Sequence, residues 1–435
     1  MGSVGCFGQI ENIKRQSLFI LLFCCISCSQ FNEQESNDSS QVIPIDEAIM
    51  KMNLKTSQLY GGTKSSSEYT IDVITASDLQ CRTRSTSGVL DLPDTLLYVV
   101  NFHDNSGFAL LSASRKLKED TFCITEQGNM SAEALLDAFN DMSDNSSIIN
   151  TTDEFTDGKV FVPSLLMSAV VLEALGVTEN REEEEDYSVS TKADVKYGPY
   201  LKTKCGQSYI YDKKVFNRYT PNHAPCGCVV TAVAQIMVYN KYPDFTVRDF
   251  DGKMCNWQDL EGVNNYAYWN RAYHSRDTAA FDQVAHFVRE LGKHNNVKVR
   301  YGENENKASG AFAEGAQRTF QNYGYSDVDK HFGFGNKKQK IADKVIRGGR
   351  PVYLDGCGKK CGHAWVLDGL RGNYYHINWG WQGQWDGYYS KGVFRTSQRS
   401  DMDDVDVDKS ENGYHHYYKG FRMVTYGAFI STPIQ

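Results

Sequence analysis

The sequence predicts an α+β fold, because two different hydrophobic periodicities follow each other along the chain. Apolar residues at helical spacing come first, as in the segment 229–240, which is apolar nearly all round. From Pro351 onward, short apolar runs separated by turn residues replace them, which is typical of antiparallel strands. Helices followed by such strands define the α+β class. With 435 residues the chain exceeds the usual size of one core, so we expect two domains and a leader.

The N-terminal segment has the pattern of an export signal. Two basic residues precede the apolar run 17–27, which is too short to span a bilayer and fits the hydrophobic part of a signal peptide. The run ends at Cys28, after which the chain becomes polar and acidic, as in bacterial lipoprotein signals. We therefore predict a signal over 1–28 with Cys28 lipidated, simple secretion being the alternative, and a polar spacer over 29–43.

A small α+β domain is predicted over 44–178. The segment 44–54 carries its apolar residues on one stripe and predicts a helix. Two apolar, β-rich runs, 96–102 and 108–111, are joined by the turn sequence Asp-Asn-Ser-Gly and predict a hairpin. No catalytic grouping of side chains is recognisable in this domain.

Residues 179–194 are predicted to be an exposed linker. A dense acidic run is followed there by small polar residues, and such a segment cannot bury apolar area. Exposed segments of this kind are where proteolytic cleavage concentrates. We expect proteolytic cleavage in this linker.

The second domain is predicted over 195–435. Besides 229–240, it contains an amphipathic helix over 279–291 that ends at Gly292. The predicted strands cover 352–354, 364–367, 374–378, 387–389 and 422–430.

Charge and composition restrict the partners. The net charge of -8 and the pI near 5.7 argue against nucleic acid, which requires clustered Lys and Arg. We expect peptides as partners, and a membrane only through a lipid anchor. No pair of cysteines stands opposite a second pair at metal-ligand spacing, so no metal or cofactor is expected.

Cys228 is the candidate nucleophile. It stands at the opening of the buried helix, where unpaired backbone N–H groups and the helix dipole stabilise a thiolate. Cys226 is the alternative nucleophile, but it lies two residues outside the helix start, where the dipole acts on it less. A buried, unreactive role or a disulfide is the alternative for either cysteine.

His363 is the candidate base, since it stands at the head of a predicted strand after Gly362 and can take the proton of a thiol. His376 is the alternative, although its position within a strand favours a structural role. Asn378 and Trp379 are candidates for orienting the base, with Trp381 behind them.

Gln207 is the candidate oxyanion donor. It lies upstream of Cys228 on a predicted loop, and its amide would act together with the backbone N–H of Cys228. Gln207 is a candidate because a Gln, a Cys at a helix start, a His and an Asn-Trp strand follow one another in that order along the chain.

Two long segments resemble the streptopain family of papain-fold cysteine proteases. The first is Gly-Cys-Val-Val-Thr-Ala-Val-Ala-Gln-Ile-Met over 227–237, and the second combines Gly-His-Ala-Trp-Val-Leu-Asp-Gly over 362–369 with Tyr-His-Ile-Asn-Trp-Gly-Trp over 375–381. The interval between Cys228 and His363 lies in the range of roughly 130 to 150 residues that papain-like enzymes show. The hairpin of the first domain resembles the inhibitory propeptide of that family.

The resemblance implies a papain-like catalytic domain, preceded by a propeptide that inhibits it. An activating cleavage between the two domains, in the linker 179–194, would remove this propeptide. It implies peptide-bond hydrolysis through a Cys–His pair and an acyl-enzyme, with Ser309, Gly310, Gly362 and Trp381 at the substrate cleft. The alternatives are a catalytically silent, lipid-anchored peptide-binding homologue and a related acyl-transfer enzyme.

Overall fold

A computed structural model describes residues 41–62, 68–80, 94–143, 158–174, 195–243, 256–263, 279–358, 362–394 and 418–428. The predicted signal peptide with Cys28, and the acidic linker 179–194, lie outside the described residues. None of the helices within these ranges is long and apolar enough to cross a membrane.

The described residues form helices and antiparallel strands, which confirms the α+β class. The helices are α1 (Ile45–Tyr60), α2 (Ala76–Gln80), α3 (Ala132–Ser143), α4 (Gly158–Ala174), α5 (Cys228–Asn240), α6 (Trp257–Val263), α7 (Ala279–Leu291), α8 (Ala313–Asn322) and α9 (Asn336–Arg347). The strands are β1 (Tyr69–Thr75), β2 (Thr95–Phe102), β3 (Phe108–Ser112), β4 (Thr121–Thr125), β5 (Tyr209–Ile210), β6 (Lys213–Lys214), β7 (Asp329–Phe332), β8 (Val352–Gly358), β9 (Gly362–Arg371), β10 (Tyr374–Asn378), β11 (Gly387–Ser390) and β12 (Tyr418–Thr425).

The elements predicted from local patterns are present. Helix α1 extends the predicted segment and ends at Gly61, whose φ of 66° suits a residue without a Cβ. Strands β2 and β3 form the predicted hairpin. The predicted strand 422–430 is shifted, because β12 ends at Thr425.

A single ten-stranded sheet runs through the described residues, in the order β1-β2-β3-β4-β11-β10-β9-β8-β12-β7. Strand β4 pairs antiparallel with β11, so the four N-terminal strands continue the C-terminal sheet edge to edge. Strands from the predicted segments 44–178 and 195–435 thus share one sheet, which the sequence did not indicate.

The two faces of the sheet bury different helices. Trp365 and Leu367 of β9 lie in a core with α3, α4 and α9. Ala364 and Val366, which point to the other face, lie in a core with α5, α7 and α8. Helix α5 therefore packs directly against β9, the strand that carries His363.

Candidate active site

Cys228 is the first residue of α5, as the sequence predicted. The preceding Gly227 has a φ of 93°, a conformation that favours glycine, and it lies against the backbone of Ser309. The chain thus turns abruptly into the helix and holds the cysteine at the helix start, where it is 9% exposed.

Burial dominates the electrostatics of this thiol. It raises the pKa of Cys228 to about 11, although the backbone N–H groups of Ala364 and Val229 oppose the shift. The buried carboxylate of Asp355 raises the pKa further. In this state of the protein the group is a neutral thiol at neutral pH.

His363 is the second residue of β9, at the head of the strand. Its Nε2 lies 2.8 Å from the carbonyl oxygen of Trp379, and the Trp381 ring stacks on it at 4.3 Å between centroids. Burial lowers the pKa of His363 to about 4. Among the residues that the structure describes, the hydrogen-bond partner of this ring is Trp379 rather than Cys228.

One cleft of about 870 Å³ brings the predicted residues together. Cys228 and His363 both line it, together with the candidate oxyanion donor Gln207. Three of the residues predicted for the substrate cleft also line it: Ser309, Gly362 and Trp381.

Gly310, the fourth residue predicted for the cleft, does not line it. Gly310 is buried, and its backbone exchanges two hydrogen bonds with Arg300. The side chain of Ser309 accepts a hydrogen bond from the backbone N–H of Gly302 at 3.1 Å.

The two residues proposed to orient the imidazole of His363 have different hydrogen-bond partners. Trp379 contacts the imidazole through its backbone carbonyl, and its ring centroid lies 6.1 Å from that of His363. Asn378 is turned away, because its carboxamide bonds to Gln235 and to the carbonyl oxygen of Thr203. The expectation that Asn378 orients the ring directly is therefore corrected.

The alternative nucleophile and the alternative base both lie outside the cleft. Cys226 is fully buried, with its sulfur 3.5 Å from Thr231 Oγ1. His376 is also buried, and its ring pairs with Asp368 at 2.6 Å and with Glu126 at 3.1 Å. This arrangement fits the structural role that its position within a strand favours.

The N-terminal region supplies contacts that the sequence did not reveal. Phe161 of α4 packs against His363 at 5.5 Å, Trp365 at 5.3 Å and Trp379 at 6.1 Å between ring centroids. Asn129 lines the cleft, and its carbonyl oxygen accepts from Trp385 Nε1. The apolar character of the segment 158–174 was a signal for a buried helix, but nothing in it indicated contact with the histidine.

A cysteine at the start of a buried helix, sharing a cleft with a histidine on the adjacent strand, is the arrangement of cysteine hydrolases of the papain type. Residues 206–389 match the model of the Peptidase C10 family. This part of the chain belongs to that family, which is the streptopain family.

The relatives match the same part of the chain. Streptopain of Streptococcus pyogenes serotype M1 is 29% identical over 189 residues, which cover 39% of this chain and 46% of that protein. The thiol protease/hemagglutinin PrtT of Porphyromonas gingivalis is 25% identical over 182 residues, 38% of this chain and 20% of that protein. The chain thus spans about half the length of the streptopains it matches.

Two solved structures are similar. A fragment of prointerpain A of Prevotella intermedia aligns with a TM-score of 0.47 and 19% identity over 82% of this chain and 100% of its own. Active interpain A of the same organism aligns with a TM-score of 0.38 and 23% identity over 53% of this chain and 96% of its own.

Proposed function

We propose that this chain is a cysteine endopeptidase made as a latent precursor. The observation that carries the proposal is that Cys228, at the start of α5, and His363, at the head of β9, line one cleft. Both residues lie in the segment that belongs to the Peptidase C10 family.

The reaction follows from the groups at the cleft. In the active form, His363 takes the proton of Cys228, and the thiolate attacks the peptide carbonyl carbon. The new C–S bond gives a tetrahedral oxyanion, to which Gln207 and the backbone N–H of Cys228 donate hydrogen bonds. The imidazolium then gives its proton to the leaving amine as the C–N bond breaks.

Water completes the cycle. His363 removes a proton from a water molecule, which attacks the acyl-enzyme and releases the acid as the thiolate leaves. The Trp379 carbonyl and the stacked Trp381 ring hold the imidazole during both steps. Ser309, Gly362 and Trp381 form the walls that contact the peptide, with Gly310 supporting Ser309.

The electrostatics of the intact chain support latency. A thiol pKa of about 11 and an imidazole pKa of about 4 disfavour the thiolate–imidazolium pair. Phe161, from the N-terminal region, is one of the apolar side chains that keep water from His363. We propose that removal of this region, by cleavage within 179–194, allows water to reach the pair and activates the enzyme.

Charged contacts hold the N-terminal region in place. Glu126 lies 3.1 Å from His376 Nε2 and 3.5 Å from Lys204 Nζ, while its backbone N–H donates to the Asp386 carbonyl oxygen at 2.7 Å. Together with the β4–β11 pairing, these contacts favour a propeptide that stays bound until it is cut.

For localisation, we propose export with lipid attachment at Cys28, on the basis of the apolar run and the polar sequence that follows it. Labelling with a radioactive fatty acid should mark the wild-type protein and not the Cys28→Ser variant. Equal labelling of the two proteins would support simple secretion instead.

The proposed function is tested by incubating the wild type and Cys228→Ala with a denatured protein and reading fragments by mass spectrometry. We expect the wild type to shorten itself within 179–194 and to cleave the substrate internally, while Cys228→Ala stays at full length. A wild type that binds peptides without cleaving them would support the silent homologue instead. Transfer of the acyl group to an added amine in preference to water would support an acyl-transfer enzyme.

A further inference from the structure

Three buried residues behind the cleft form a closed set of hydrogen bonds, which we call the amide ring: Thr203, Gln235 and Asn378. Gln235 Nε2 donates to Asn378 Oδ1 at 2.8 Å, and Gln235 Oε1 accepts from Thr203 Oγ1 at 3.0 Å. Asn378 Nδ2 donates to the Thr203 carbonyl oxygen at 3.0 Å, which closes the ring. Each of the three residues is at most 2% exposed, so water does not compete for these bonds.

Each member of the amide ring belongs to a segment that carries a different part of the proposed machinery. Gln235 lies two turns after Cys228 on the same face of α5. Thr203 precedes Gln207 on the loop that carries the proposed oxyanion donor. Asn378 ends β10 directly before Trp379, whose carbonyl holds His363.

The amide ring also fixes backbone on both loops. Gln235 Oε1 accepts a second hydrogen bond, from the Cys205 N–H at 3.2 Å, and Asn378 Oδ1 accepts one from the Gly380 N–H at 3.0 Å. Gly380 lies so close to α5 that a Cβ there would be 2.9 Å from Thr231 Cγ2. Backbone hydrogen bonds and close packing therefore hold the two loops against α5.

We propose that Gln235 is a positioning residue of this site: through the amide ring it sets the distances between the Cys228 thiol, the Gln207 amide and the Trp379 carbonyl. The inference rests on the proposed function. Gln235 does not line the cleft, so it acts only through the groups that it holds.

The size of the effect follows from geometry. Removing the Gln235 amide leaves the Cys205 N–H buried without that acceptor and frees two loops to shift. A displacement of about 1 Å at reacting groups costs on the order of 100-fold in rate. We expect kcat to fall on the order of 10- to 100-fold and KM to change less, because Ser309 and Gly362, two of the three proposed wall residues, lie outside the two loops.

The test compares Gln235→Met, which keeps the length and removes the hydrogen bonds, with Gln235→Glu, which keeps the acceptor oxygen. The control is Gln339→Met, since Gln339 is also buried and bonds to the Phe334 and Lys391 carbonyl oxygens on the other face of the sheet. Full chains are processed with a trace of wild-type enzyme, and kcat is expressed per Cys228 titrated with a thiol probe. The pH dependence of Cys228 alkylation is measured on the same samples and on the full chains before processing.

We expect Gln235→Met to lose kcat per titrated site and to shift the alkylation profile to higher pH, with Gln235→Glu between it and the wild type. Gln339→Met should lose thermal stability only. If Gln235→Met does not fold, Thr203→Val removes one bond of the amide ring and should show a smaller change of the same kind.

Two outcomes separate the inference from the proposed function. Wild-type kcat per site and a wild-type alkylation profile in Gln235→Met, or in Thr203→Val if that variant is used, would overturn the inference while leaving the peptidase intact. A wild type that does not cleave peptides would overturn the proposed function, and the alkylation profiles of the full chains would still decide whether the amide ring positions the thiol and the imidazole.

Discussion

Replacing Phe161 with alanine should activate the full chain without cleaving it. Phe161 is fully buried and packs its ring against His363, Trp365 and Trp379. Removing the ring opens space beside the imidazole, and water entering it would favour the charged form of the histidine.

The magnitude follows from the pKa values of the two groups. Burial lowers the pKa of His363 from 6.5 to about 4, and it raises the pKa of Cys228 from 9.0 to about 11. The population of the thiolate–imidazolium pair rises about tenfold for each unit by which the histidine pKa recovers, up to about 300-fold for complete recovery. Because Phe161 is one of several groups around the ring, we expect a gain of about 10- to 100-fold.

The assay is alkylation of Cys228 in the uncleaved chain at pH 7, read by mass mapping. Three buried thiols report global unfolding in the same sample: Cys123, Cys205 and Cys226. Phe334→Ala is the matched control, since Phe334 is equally buried in the same core but packs on Tyr375, Phe394 and Phe421. Either truncation should cost about 3–5 kcal/mol of stability.

We expect faster alkylation at Cys228 alone in Phe161→Ala and no such gain in Phe334→Ala. Equal rates in wild type and Phe161→Ala would refute the idea that the aromatic contact keeps the pair uncharged. Labelling of all four thiols would show that the variant had merely unfolded.

Two further predictions concern charge. Burial opposes a charge on His376, but the Asp368 and Glu126 carboxylates outweigh it and raise its pKa to about 10. The stability this gives is complete below the unfolded pKa of about 6.5 and is lost as pH rises through about 10. The melting temperature of the full chain should thus fall between pH 7 and 10, and His376→Gln should flatten that slope; parallel slopes in the two proteins would exclude this charge as the cause. Gln207→Ala should lower kcat on the order of 100-fold, whereas Gln384→Ala, also at the cleft, should change it little; equal losses would argue against an oxyanion role.

Local patterns in the sequence were sufficient to predict the elements that carry the proposed nucleophile and base. The all-round apolar run after Cys228 predicted a buried helix, and the short apolar run after His363 predicted a strand. Both elements form because their hydrophobic periodicity is a property of a few neighbouring residues. The resemblance to the family added the expectation that they meet.

Such local patterns could not predict contacts between segments that are distant in the sequence. Strands β4 and β11 pair through backbone hydrogen bonds, which depend little on the identity of the side chains, so the sequence pattern does not predict this pairing. The partners of Asn378 depend on where Gln235 and Thr203 come to lie in space, so its type alone suggested the wrong contact. Phe161 likewise reads as an ordinary apolar residue of an apolar helix.

The central claim is that Cys228 and His363 act as one ionising pair once the N-terminal region has gone. The most direct measurement is the pH dependence of Cys228 alkylation in the processed wild type and in His363→Ala processed in trans. We predict a wild-type rate that persists well below pH 7 and a variant rate that follows the ionisation of a single thiol in the alkaline range, since the variant has no imidazole to charge. Superimposable profiles would contradict the claim.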